Sequence, residues 1–222
     1  MADTVFIAMP TRGQVSAACL AWLDKIEAPH EFHFREGHLS VTSGRLALRS
    51  DFLKSDCTHL LFVDDDVAPY DDGAVERLLA DDKDIVGGVY FMWSSKDKIG
   101  FPVPCTFRKA GQSYRPVVGA GVSAVDAMGA GFLLIRRAVL EHESMARSFR
   151  LELTPEGVLR KSDDFSFCED AAKLGYQVWA DYRVMCSHVK LMDVSFVGMK
   201  MMKAGLWRSQ KVEKDAKANA EG

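Results

Sequence analysis

Residues 59–67 read His-Leu-Leu-Phe-Val-Asp-Asp-Asp-Val, an apolar run that ends abruptly in Asp64, Asp65 and Asp66. A short continuous apolar stretch closed by residues that cannot stay in a core reads as a buried strand whose last residues surface at a sheet edge. In open α/β sheets that carboxyl end is where ligands bind. Three adjacent carboxylates repel one another unless positive charge is shared among them, so a divalent cation is the natural ligand. Side chains alternate along a strand, which predicts Asp64 and Asp66 on one face and Asp65 on the other for as long as the strand lasts. An acidic triplet is also what a solvated turn or a helix start looks like, and Pro69, Asp71, Asp72 and Gly73 follow at once. The rest of the chain has to decide between these readings.

Thr4–Met9 is a short apolar strand stopped by Pro10-Thr11-Arg12-Gly13, with a helical pattern over 15–26. That loop lacks the Gly-x-Gly-x-x-Gly spacing of a dinucleotide or phosphate cradle, but Thr11 and Arg12 can still touch a ligand. A second strand is expected over 31–34, and a polar loop over 37–44 leads to a helix near 45–54. After the acids come a short helix over 75–79 and a strand over 84–91 that contains the pair Gly87-Gly88. This alternation predicts an α/β fold with a parallel, doubly wound sheet.

Residues 93–116 break the pattern with Lys, Gly and Pro, as an insertion of loops and short β segments would. A strand interrupted by Gly129 and Gly131 is expected over 125–135, then a helix over 137–145. Ser162-Asp163-Asp164 opens a helix that ends at Gly175. Extended segments over 177–180 and 184–186 then deliver His188 to the ligand edge of the sheet.

Two hundred and twenty-two residues suit one sizeable domain with a tail. We expect a domain over 1–190 and a helical or partly disordered tail over 191–222. A net charge of −3 argues against non-specific polyanion binding. Cys19, Cys57, Cys105, Cys168 and Cys186 form no close metal-ligand pair and read as reduced, buried thiols. With no basic leader running into a long apolar stretch, a cytoplasmic protein that does not engage a membrane is expected.

Taken together, Asp64-Asp65-Asp66, Gly87-Gly88-Val89-Tyr90, the stretch from Val125 to Phe132, Ser162-Asp163-Asp164-Phe165 and the late His188 resemble a GT-A glycosyltransferase. More narrowly, they resemble the small family-2-like enzymes carried by bacteriophages, over about residues 4–190. The resemblance implies a Rossmann-like, mainly parallel sheet flanked by helices, a nucleotide-sugar donor and a divalent metal, Mn2+ or Mg2+. It also implies the host cytoplasm as the location if the chain is phage-encoded.

The resemblance assigns Asp66 to the metal, with His188 and Asp64 as further ligands, and Asp64 and Asp65 to ribose or metal-bound water. It assigns the acceptor base to Asp164, with Asp163 in support, in place of the Glu-Asp pair of relatives. Glu169-Asp170 downstream is a competing candidate for the base. Pro10, Thr11 and Arg12 stand where relatives hold the nucleobase and ribose. Arg45 matches a donor-binding arginine, although Leu46 replaces the asparagine that follows it in relatives. Gly129 and Gly131 would let sugar or acceptor approach the backbone, while Trp93 and Trp207 could stack on sugar or base.

The function implied is inverting transfer of a sugar from a nucleotide-diphosphate sugar, a UDP-sugar foremost, to an acceptor hydroxyl. A hydroxymethylated pyrimidine in phage DNA is one acceptor, with Lys190, Lys200, Lys203, Arg208, Lys211, Lys214 and Lys217 as phosphate contacts. A cell-surface polysaccharide, a lipid-linked sugar and a protein are the alternatives. Outside this class stand a nucleotidyltransferase and a non-catalytic carbohydrate- or calcium-binding relative.

Overall fold

The computed structural model describes residues 3–36, 40–93, 102–111, 113–190 and 194–203. The chain opens with β1 (Val5–Pro10), α1 (Ala17–Leu23), β2 (His30–Arg35) and α2 (Val41–Phe52). β3 (His59–Val63), β4 (Val67–Pro69), α3 (Ala74–Ala80) and β5 (Ile85–Val89) follow. Next come short strands β6 (Phe91–Trp93), β7 (Pro102–Pro104), β8 (Thr106–Ala110), β9 (Ser113–Pro116), β10 (Val122–Val125) and β11 (Ala127–Met128). β12 (Phe132–Arg136), α4 (Arg137–Glu141), β13 (Glu152–Leu153), β14 (Leu159–Lys161), α5 (Asp163–Lys173), β15 (Val178–His188) and α6 (Val194–Lys203) complete the order.

The main sheet runs β10-β15-β5-β12-β3-β1-β2, with β4 attached to β15. β1 pairs in parallel with β2 and β3, and β15 in parallel with β5. β12 lies antiparallel between β3 and β5, and β10 antiparallel on β15. The sheet is therefore mainly parallel, as the alternation of elements predicts. The stretch expected as one strand over 125–135 is divided among β10, β11 and β12, which join two different sheets, and the glycines mark the break.

All five residues of β3 are buried, as are all six of β1, which is why these strands read as unbroken apolar runs. Each such Leu, Val or Phe contributes about 1.5–3 kcal/mol of transfer free energy. The core spans both sheet faces: on one, Phe6 meets Phe52 of α2 edge-on and Phe62 meets Phe149, which stacks on Phe167 of α5; on the other, Phe132 meets Trp22 of α1 edge-on.

α2 starts at Val41, earlier than expected, because Ser40 and Ser43 form a reciprocal capping box that turns part of the polar loop into helix. α5 ends where Gly175 adopts φ +88°, a conformation that favours glycine. The two extended segments expected over 177–186 are one strand, β15, with an irregularity. Asp181 is opposite Gly88 and Met185 is opposite Val89, so extra residues bulge out between them. The fully buried Asp181 holds this bulge by accepting hydrogen bonds from the backbone N–H and guanidinium of Arg183. Beyond it the end of β15 pairs with β4, setting Cys186 against Pro69, Ser187 against Ala68 and His188 against Val67.

Chain contacts divide the protein into a unit of Met1–Met92 with Val103–Val189 and a second of Trp93–Pro102 with Lys190–Gly222. Within the first, β8 and β9, from the expected insertion, join β11 in a three-stranded antiparallel sheet. In the second, Trp93 is half-exposed, and Lys200 and Lys203 lie on α6. Trp207, Arg208, Lys211, Lys214 and Lys217 lie outside the described residues. Among the described residues no helix is long and apolar enough to cross a membrane.

Candidate active site

The strand stops at Val63, so Asp64, Asp65 and Asp66 form the turn between β3 and β4. The alternation that would have set Asp64 beside Asp66 stops with it, and the three carboxylates diverge. The turn is tied down by Val67 N–H on the Asp64 carbonyl at 3.0 Å, Ser16 N–H on the Asp65 carbonyl at 2.8 Å and Val189 N–H on the Asp66 carbonyl at 2.8 Å. Each acid then faces a different element.

Asp66 faces His188. Its Oδ1 lies 3.5 Å from His188 Nε2, an apposition created by the pairing of β4 with β15. His188 Nδ1 lies 2.8 Å from the carbonyl oxygen of Phe91. A carbonyl only accepts, so Nδ1 donates to it and Nε2 is the ring nitrogen left facing Asp66. One imidazole nitrogen and one carboxylate oxygen turned toward each other suit a divalent ion with bonds of about 2.0–2.2 Å, and this mixed donor set is acceptable to manganese. Among the described residues no three His, Cys, Asp or Glu side chains gather around one point, so these two would hold the ion with oxygens from elsewhere.

Asp64 faces Arg45 of α2. Its Oδ1 accepts from Arg45 Nη2 at 2.9 Å, and Arg45 Nη1 donates to Asp163 Oδ2 at 2.9 Å. Arg45 is 5% exposed and thus ties the turn after β3 to the first residue of α5, 118 positions away in sequence from Arg45. Burial alone would weaken its charge, but Asp64, Asp163 and Asp164 more than compensate and hold the guanidinium firmly protonated. The Arg45 expected to touch the donor is therefore occupied with two carboxylates of the site.

Asp65 faces the first loop, where its Oδ2 lies 3.4 Å from the backbone N–H of Arg12. Thr11 is buried, donates its N–H to the Arg35 carbonyl and accepts from Gly13 N–H on its hydroxyl at 3.0 Å. Pro10 is buried at the end of β1 opposite Arg35, and the Arg12 side chain is exposed. The field of the acids reaches the buried Cys19 thiol of α1, pushed up to about 12 by burial first and then by Asp65, Asp66 and Asp64.

At the head of α5 the sequence folds unusually. Ser162 takes the cap position but makes no side-chain cap; its hydroxyl donates instead to Asp164 Oδ1, which also accepts from Phe165 N–H at 2.9 Å. Asp164 keeps part of its surface open to solvent while protein crowds the rest. That burial pushes its carboxyl above the usual range, with Asp163 adding to the rise and Arg45 and Ser162 opposing it. A carboxylate with a raised pKa accepts protons readily.

Further along the helix, Glu169 sits in a cage. Lys161 donates at 2.6 Å, Tyr114 at 2.7 Å and Lys109 at 3.2 Å. Burial would raise its pKa, but these donors overcome it and hold the carboxyl down at about 2. Asp170 is likewise held low by Arg150 and Lys173. Neither is built to take up a proton.

Gly129 and Gly131, expected to admit a ligand, are instead shaped around Tyr90. A Cβ on Gly129 would fall 2.2 Å from the Tyr90 hydroxyl, and one on Gly131 2.9 Å from it and 3.0 Å from Asp64 Oδ2. In the sequence Tyr90 stands out only as the end of the Gly87-Gly88-Val89-Tyr90 stretch and not as a site residue. The available signal was two glycines one residue apart beside a strand that ends in an aromatic, which is the imprint of a large side chain packed against bare backbone. The Lys161–Glu169 cage escaped too, because its members come from β8, β9, β14 and α5.

No protein-family model matches the chain, and no curated protein matches it. Among solved structures it is similar to A197 from STIV, at 21% identity over 85% of this chain and 86% of that chain, with a TM-score of 0.57. It is also similar to GalNAc-T7 with UDP, GalNAc and Mn2+, at 8% identity over 86% of this chain and 44% of that chain, with a TM-score of 0.56. At these identities the likenesses are of fold alone, the GT-A fold.

Proposed function

We propose that the protein is a divalent-metal-dependent, inverting glycosyltransferase whose domain spans residues 1–190 and whose donor is a nucleotide-diphosphate sugar. The observation that carries this reading is the apposition of His188 Nε2 and Asp66 Oδ1 at 3.5 Å in the same turn whose Asp64 is joined through Arg45 to Asp163 at the head of α5. UDP as the nucleotide and Mn2+ as the metal are supported by the GalNAc-T7 likeness, whose structure holds UDP, GalNAc and Mn2+.

Asp66 and His188 would hold the metal. Once bound, the ion neutralises the charge that grows on the diphosphate as the glycosidic bond breaks. Asp65 and the Thr11–Arg12 loop face each other and would take the nucleoside, with Pro10 closing the end of β1. Asp64, pinned through Arg45, would present its remaining oxygen to ribose or to a water on the metal. Asp164 would accept the proton of the acceptor hydroxyl as its oxygen bonds to the anomeric carbon, while the bond to the diphosphate oxygen breaks and that oxygen keeps the electron pair. Asp163 and Arg45 act on Asp164 by position and charge.

For the acceptor we carry forward the hydroxymethylated pyrimidine of DNA. Its support is the run of basic residues from Lys190 onward in the sequence. Two assays test the scheme. Release of UDP from a panel of UDP-sugars should require Mn2+ or Mg2+ and should fail with a chelator; release that is unaffected by chelation overturns the metal role. Binding to duplex DNA should weaken steeply with salt, and salt-independent or absent binding removes the DNA acceptor.

A further inference from the structure

We propose that Tyr90 is a positioning residue that locks the metal-facing imidazole of His188 and the Asp64 turn into one arrangement; its catalytic meaning rests on the metal and donor reading above. Three contacts carry it. The Tyr90 ring, 4% exposed, meets the His188 ring edge-on at 5.1 Å and 79°, and the neighbouring Phe91 carbonyl takes the Nδ1 proton of the same imidazole. The Tyr90 hydroxyl accepts the Gly131 N–H at 3.1 Å, and the Gly131 carbonyl accepts the Asp64 N–H at 2.9 Å. Asp64 then binds Arg45.

A single side chain thus touches the metal-facing imidazole with its ring and the donor-side acid, through one peptide group, with its hydroxyl. Phenylalanine would fill nearly the same volume, so packing does not explain the hydroxyl. Its placement does. Gly131 N–H is buried beside β12 and needs an acceptor, and an unmade buried hydrogen bond is costly. The backbone has also given way to that oxygen, since a Cβ at Gly129 would fall 2.2 Å from it. The ring and the hydroxyl do separable jobs, and this division is what can be measured.

The test uses the full chain with Tyr90→Phe and Tyr90→Leu. In the metal-free protein, nuclear magnetic resonance reads the exchange of the Gly131 amide and the tautomer of His188. Tyr90→Phe should accelerate Gly131 exchange by about tenfold, the worth of one buried hydrogen bond, and leave the Nδ1-protonated tautomer intact. Tyr90→Leu should disturb the tautomer as well. Mn2+ titrated by electron paramagnetic resonance should bind Tyr90→Phe as it binds the parent chain and Tyr90→Leu about tenfold more weakly. With a donor found, Tyr90→Phe should raise KM for the nucleotide sugar and leave kcat nearly unchanged.

Unchanged Gly131 exchange in Tyr90→Phe overturns the proposal, as does an equal loss of Mn2+ affinity in both variants. If the parent chain binds no Mn2+, the metal reading falls, while amide exchange and tautomer still decide whether Tyr90 positions these groups.

Discussion

α5 carries two acidic pairs six residues apart, and their surroundings make them opposites. Glu169 and Asp170 are saturated with donors, Glu169 by two lysines and a tyrosine, Asp170 by Arg150 and Lys173. Asp164 receives one serine hydroxyl and one backbone N–H, and burial leaves it proton-hungry. Between the two stands Asp163, whose negative charge is spoken for by Arg45. What a carboxylate does here is decided by the number and charge of its donors, which follow from the tertiary fold. One pair holds β14 and the β8–β9 hairpin to the helix; of the other, Asp164 is left, among the described residues, without a cation of its own at hydrogen-bond distance.

The largest expected break of this contrast is Asp164→Asn. It should lower kcat by about 10²–10⁴-fold, the usual worth of a general base, while leaving the melting temperature unchanged or higher because a strained buried charge is gone. A fall in melting temperature together with near-normal turnover would assign Asp164 to stability instead. Next is Arg45→Met, which leaves the buried Asp163 and the partly exposed Asp64 without their shared cation. Removal of one partner from such a cluster costs about 3–5 kcal/mol, read as a large drop in denaturation midpoint, and Arg45→Lys should recover only part of it because lysine lacks the fork.

Glu169→Gln should show the converse of Asp164→Asn. Depression of its pKa from 4.5 to about 2 corresponds to about 3 kcal/mol of stability at neutral pH, and turnover should stay within a few-fold of the parent. The pH dependence sharpens the comparison because the two signs oppose. Glu169 has a lowered folded pKa, so its contribution is complete above the ordinary value of 4.5 and is lost as the pH falls toward 2. Asp164 has a raised folded pKa, so its protonated form favours the folded state and stability declines as pH rises from 3.8 through the folded value. Denaturation midpoints across the acid range should therefore show the parent losing stability at low pH, and Glu169→Gln should remove much of that slope. The smallest effect is expected of Gly129→Ala, whose Cβ displaces the Tyr90 hydroxyl at a cost of about 1–3 kcal/mol.

The parts of this protein that were readable in one dimension are those whose physics is local. β1 and β3 announce themselves as apolar runs, and α5 by its acidic start and its glycine stop. The acids at the end of β3 were legible as the point where the strand surfaces, and Asp66, His188 and Asp164, which the resemblance names, stand in the turn after β3, at the end of β15 and at the start of α5. What stayed hidden depends on pairing between distant segments. The antiparallel insertion of β12 between β3 and β5 has no periodic signature that separates it from a parallel strand. Arg45 meets Asp163 across 118 residues, and His188 reaches Asp66 only because a bulge at 181–185 lets β15 change partners from β5 to β4. Of the two readings of the triplet, strand end and turn, the turn is the one the chain adopts, and there each of three repelling carboxylates finds its own counterpart.

The most direct test of the account compares Asp164→Asn with Glu169→Gln in one assay, UDP release from a UDP-sugar panel with Mn2+. The account predicts release by the parent and by Glu169→Gln and almost none by Asp164→Asn. Release by Asp164→Asn at the parent rate, with Glu169→Gln inactive yet folded, would contradict it.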